Sequence, residues 1–76
     1  MDSLTAVRRI VGGHNPHRAL VVFYLHRVKG LSERKIADTL GLTKSTIHRH
    51  RRRVADAIAE IDLNESTLVD MIESAA

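Results

Sequence analysis

The chain has no cysteine and no tryptophan among its 76 residues. Without cysteine there are no disulfides, no thiolate metal sites and no cysteine nucleophile, and the chain suits a reducing compartment. Aromatic side chains are nearly missing as well. Phe23 and Tyr24 are the whole set, too few for a platform on which bases stack, so both are expected in the core. The longest apolar run, Ala19 to Leu25, is far short of the roughly 20 residues that span a bilayer. No basic segment followed by an apolar stretch and a small-residue cleavage site opens the sequence. The expected location is therefore cytoplasmic, with the nucleoid when bound to DNA, and no membrane partner is expected. No stretch alternates apolar and polar residues as a half-buried strand does, and no internal repeat is present.

What is present is a moderate apolar content and a polarised distribution of charge. At 43% apolar the chain can bury a core, although a small one. The net charge is +3, yet it is divided unevenly. Residues 1 to 30 and 31 to 53 are both strongly basic. Residues 54 to 76 hold Asp56, Glu60, Asp62, Glu65, Asp70 and Glu73 with no lysine or arginine. A basic body with an acidic end implies an anionic partner on one side and a different task on the other, with nucleic acid the first candidate.

The periodicities predict helices throughout. A short first helix is expected over Ser3 to Val11, with Leu4, Val7 and Ile10 or Val11 on one face, ended by Gly12-Gly13. Asn15 is a good N-cap and Pro16 suits the first helical position, so a second helix runs on through Arg18 to Lys29. Its apolar residues Leu20, Val21, Phe23, Tyr24, Leu25 and Val28 cover more than one face, as in a helix packed between neighbours. Gly30 ends it as a left-handed residue. Ser32 then caps a helix from Glu33 to Leu40, with the Glu33 carboxylate favoured in the first turn. Gly41-Leu42 breaks it. Thr43 caps a further helix from Lys44 to about Ile61, whose buried stripe is Ile47, Val54, Ile58 and Ile61. The fold class expected is all-α, a compact bundle of four to five helices.

Within that pattern the stretch Leu31 to Arg53 reads as a helix-turn-helix. Two helices crossing at about 90–120° through a short turn must approach closely at the corner. Ala37 is small enough to permit the crossing, Gly41 supplies the positive φ, Leu42 plugs the corner and Ile47 anchors the second helix. The sequence GLSERKIADTLGLTKSTIHRHRRRV, Gly30 to Val54, resembles region 4 of bacterial sigma factors and the C-terminal domain of LuxR-type regulators. With the helix before it, the resemblance covers about half the chain. It implies that Glu33 to Leu40 is the supporting helix and Lys44 to Arg53 the recognition helix, with Lys44, Ser45, His48, Arg49 and Arg52 placed to contact DNA. One departure is His50, at a position usually apolar in these families. Another is that no sigma region 2 or receiver domain precedes the motif, so a complete sigma factor or response regulator is not expected.

The residue chemistry leads to the same surface. Counted from Ile47 as the inward position, Ser45, His48, Arg49 and Arg52 face away. Thr43, Lys44, Ser45 and Thr46 bring short donors to the positive end of the helix dipole, where phosphate oxygens or base edges suit them. Arg49 is the candidate for a bidentate guanine contact. Arg51, Arg52 and Arg53 are candidates for phosphates, and Arg18, Arg27, Arg34 and Lys35 are weaker phosphate candidates. His48 and His50 are also expected to gain charge against phosphate, so that affinity rises between about pH 8 and about pH 6. No metal site is expected: His14 and His17 are split by Pro16, and His48 and His50, two apart, point in different directions. No cofactor and no catalytic arrangement is expected, since the serines stand where hydroxyls act as caps or contacts.

The acidic end has two readings. Asn64, or Asp62 with Glu65, can cap a last helix through Thr67 to Ser74, or one long kinked helix can run to the end. Its stripe either closes the core against Leu4, Val7 and Ile10 or pairs two chains through Ile58, Ile61, Leu68, Met71 and Ile72. Pairing is the expectation, because a homodimer would set two recognition helices about 34 Å apart on one face of DNA. Residues 1–76 are thus expected to form one domain: an N-terminal helix and glycine linker (1–13), a scaffold helix (14–30), the helix-turn-helix (31–53) and an acidic extension (54–76). The function expected is a sequence-specific regulator of transcription on double-stranded DNA. Its rivals are a phage or mobile-element DNA-targeting accessory protein and a protein-binding module that contacts RNA polymerase.

Overall fold

In the computed structural model, residues 16–75 are described. The expected helix over Ser3 to Val11, the Gly12-Gly13 stop and the Asn15 cap lie outside them. Four helices follow one another: α1 (Pro16–Arg27), α2 (Glu33–Leu40), α3 (Lys44–Glu60) and α4 (Glu65–Ala75). Among the described residues there is no strand, and the all-α class expected from the periodicities holds.

Each helix end has a local cause. Gly30 takes φ 69°, and the Leu31 N–H then donates back to the Leu25 carbonyl at 3.2 Å, the closure a left-handed residue permits. Ser32 accepts from the Lys35 N–H and so caps α2. Gly41 ends α2 at φ 68°, and the N–H groups of Gly41 and Leu42 both donate to the Ala37 carbonyl. Thr43 caps α3 by accepting from the Thr46 N–H. The acidic end is two helices, not one. Asp62 adopts φ 54° and Leu63 donates to the Ile58 carbonyl at 2.8 Å, which reverses the chain. The Asn64 side chain then accepts from the Thr67 N–H at 2.8 Å, starting α4.

The core has two parts, and α1 supplies both. Val22 packs with Ile36, Ala37 and Ile47 under the corner between α2 and α3, closed by Leu25, Leu31, Leu40 and Leu42. Ala19, Leu20 and Phe23 pack with Val54, Ala57, Ile58 and Leu68, flanked by Leu63, Val69, Met71 and Ile72. This double duty is why α1 is apolar over more than one face. Phe23 is buried as expected, whereas Tyr24 is half-buried at the margin.

The dimerisation stripe is largely spent inside the chain. Ile58 and Leu68 belong to the buried core, and Met71 and Ile72 are half-covered against it. The acidic helix joins this core through Leu68, which shares it with Ala19, Leu20 and Phe23 of α1 and Val54, Ala57 and Ile58 of α3. Ile61, expected on the buried stripe of α3, is instead exposed at the chain reversal.

Leu68→Ala is expected to cost about 2–5 kcal/mol, a large fraction of the stability of so small a domain. Gly41→Ala meets no atom within 4 Å of the added Cβ, so its cost is the backbone strain alone, about 1–2 kcal/mol. Urea unfolding of both variants measures the two values.

Candidate nucleic-acid interface

An α-helix turns by about 100° per residue, so the inward positions of α3 define its free side. Ile47, His50, Val54, Ala57 and Ile58 are buried. Ile36 and Ile47 are 0% exposed and lock the start of α3 against α2. Opposite this stripe, Lys44, Ser45, His48, Arg49 and Arg52 are all exposed. Three of the five are cations, and among the described residues no other helix covers them. A shallow open depression here is lined by Glu33, Lys44, Ser45, His48 and Arg49.

The remaining candidates are placed differently. Thr43 and Thr46 are joined hydroxyl to hydroxyl at 2.9 Å, and the Arg49 guanidinium donates to the Thr46 Oγ1 at 3.4 Å. These hydroxyls organise the first turn of α3 and steady Arg49. Arg53 is half-buried beside the arc. Arg34 and Lys35 stand exposed on α2. Arg27 is drawn into an ion pair with Glu65 at 3.1 Å, tying the end of α1 to the start of α4.

Arg51 is engaged within the fold. Its Nη1 donates to Glu33 Oε2 at 2.8 Å, and the same oxygen lies 3.3 Å from His48 Nδ1. The Glu33 side chain is only 18% exposed. Partial burial pushes its carboxyl up, but the hydrogen bonds and positive charges of Arg51 and His48 outweigh this and hold it below the ordinary value. In the sequence Glu33 reads only as a first-turn acid. Its partners lie 15 and 18 residues further on, a distance that no local pattern reports.

His50 departs from the expectation of a phosphate-facing histidine. It is 7% exposed and turned into the fold, so it does not meet phosphate with His48. Its Nδ1 has no hydrogen-bond partner. Burial, with the positive charges of Arg53, Arg18 and Arg49, pushes its pKa below the ordinary 6.5. A position usually apolar in the resembling families is thus occupied by an imidazole held neutral.

A glycine corner between two crossed helices, with a basic arc exposed on the second, defines a helix-turn-helix of the nucleic-acid-binding kind. Residues 16–58, more than half of the chain, match the family Sigma-70, region 4. The chain belongs to that family, whose role is DNA binding in transcription; the LuxR-type domains are a related helix-turn-helix family. No curated protein and no solved structure matches the chain. Among the described residues no helix is long and apolar enough to cross a membrane.

Because the folded chain holds His50 neutral, the unfolded chain takes up the proton first as pH falls below 6.5, and stability falls with it. Replacing the imidazole by an apolar side chain removes both this linkage and the orphaned nitrogen. His50→Leu is expected to lose less stability than the wild type between about pH 7.5 and about pH 5.5. Urea midpoints at the two pH values test this, and equal losses would refute it.

Proposed function

We propose that the chain is a sequence-specific reader of double-stranded DNA that regulates transcription, with the N-terminal half of α3 lying in the major groove. The observation that carries this is the uncovered arc of Lys44, Ser45, His48, Arg49 and Arg52 on a helix whose other side is locked to α1 and α2. Arg49, braced by Thr46, is the base-reading residue, suited to the N7 and O6 acceptors of guanine. Lys44 and Arg52 contact phosphates at the groove edges, with Arg34 outside them. Arg53 flanks the same strand. Thr43 and Thr46 hold the first turn, and Arg51 fixes the platform through Glu33.

The reading needs no dimer. Ile58 and Leu68 are already buried within one chain, so a single domain carries the interface, and its affinity is correspondingly modest. A specific observation favours a second surface. Glu60, Asp62, Glu65, Asp70 and Glu73 are exposed on and around α4, where they repel DNA. We assign that end to a basic protein surface, and the polymerase that sigma region 4 domains bind is the natural candidate.

Fluorescence anisotropy with a pool-selected duplex and a scrambled one, from about 50 to about 200 mM salt, tests the proposal through the expected slope of about −0.9 per phosphate contact. Arg49→Ala is expected to weaken the selected duplex by about 5- to 150-fold, a loss of about 1–3 kcal/mol, and to leave the scrambled one nearly unchanged. Arg52→Ala is expected to weaken both alike and to lower the slope by about one contact. Equal losses on both duplexes for Arg49→Ala would remove it as the base reader, and no binding at low salt would remove the proposal.

A further inference from the structure

The depression beside α3 holds one acid among its donors, and that acid settles the chemistry of its neighbour. Glu33, with its carboxyl held below the ordinary value by Arg51 and His48 against the effect of burial, is ionised near neutral pH. An ionised carboxylate has no proton to give and can only accept. The His48 nitrogen facing it across 3.3 Å, Nδ1, must therefore carry the hydrogen. In a neutral imidazole that leaves Nε2, on the far side of the ring, with a lone pair. The His48 side chain is 64% exposed, so this second nitrogen is open to a ligand.

We propose that Glu33, itself held by Arg51, is a positioning residue that locks His48 as the Nδ1–H tautomer, and that His48 thereby reads an exocyclic amine at one base position. The inference rests on the reading that α3 enters the major groove, and it adds the polarity of one contact. In that groove only adenine N6 and cytosine N4 donate; guanine offers N7 and O6, and thymine offers O4 and a methyl group. Lys44, Arg49 and Arg52 are donors only, and the Ser45 hydroxyl serves either way. Neutral His48 is the member of the arc that requires a donor. Phosphate oxygens are acceptors, so an Nδ1–H imidazole turns away from the backbone and toward a base. The charged groups around it are Glu33 from α2 and Lys44, Arg49 and Arg51 from its own helix.

The experiment has two arms, both at about pH 8, where imidazole is mainly neutral. Nitrogen-15 spectra of the full chain report which imidazole nitrogen of His48 is protonated, with no DNA present. Selection from a random duplex pool reports base preference. Wild type is expected to show Nδ1–H and to favour adenine or cytosine over guanine or thymine at one position by about five- to tenfold, the worth of one hydrogen bond. Glu33→Gln offers Nδ1 an acceptor or a donor, and is expected to lose both the fixed tautomer and the preference while still selecting guanine through Arg49. His48→Ala, at an exposed position, is expected to lose the same preference and keeps the test available if Glu33→Gln fails to fold. An Nε2–H tautomer in wild type, or a base profile unchanged in either variant, overturns the inference alone. A wild type that selects no sequence overturns the groove reading beneath it.

Discussion

The structure depends on one close contact, the burial of Ile47 against Ile36 and Ala37 beneath the turn at Gly41. Everything useful about α3 follows from where that contact puts it. Ile47 lies one turn into the helix, so anchoring it fixes the orientation of the first turns, which carry the exposed arc. Ala37 allows the approach because it has no side chain beyond Cβ, and Gly41 because it tolerates φ 68° without strain. Val22 covers the same cluster from α1. The arc is therefore presented by three helices acting as one rigid support, the kind of pre-organisation that a weakly buried binding helix needs.

Concentrating cations on that arc sets the second constraint. Lys44, Arg49, Arg51, Arg52 and Arg53 follow one another with no acid between them, and their mutual repulsion disfavours the fold. Glu33 answers this locally from α2 by taking Arg51, while Thr46 takes Arg49. Lys44 and Arg52 stay exposed on the arc. Glu65 takes Arg27 and ties the start of α4 to the end of α1, and Leu68 of the same helix completes the core. The family match stops at residue 58, just where α3 turns acidic. The last turn of α3, the reversal at Asp62 and the whole of α4 lie beyond the matched residues.

Most of the frame was legible in the sequence because its signals are local. Ser32, Gly41 and Thr43 act within three or four residues of themselves, and the helix limits they set are those found. The corner residues Ala37, Leu42 and Ile47 were legible for the same reason. What escaped depends on contacts between distant segments. The stripe Ile58–Leu68–Ile72 reads as a dimer seam or as a core, and that α1 packs against it within the chain is not written in any local pattern. Arg51 and Arg52 are neighbours of the same type, yet about 100° of helix rotation turns one to Glu33 and the other to solvent. His50 looked like a partner of His48, but the same geometry buries it.

The most direct test of the account is to titrate the labelled chain with its selected duplex and follow every backbone amide by NMR. The account predicts that the largest changes fall on Lys44, Ser45, His48, Arg49 and Arg52, with smaller ones at Arg34 and little movement along α4. Changes centred on Glu65 to Glu73, or spread evenly over the basic surface without reaching Ser45 and Arg49, would contradict it.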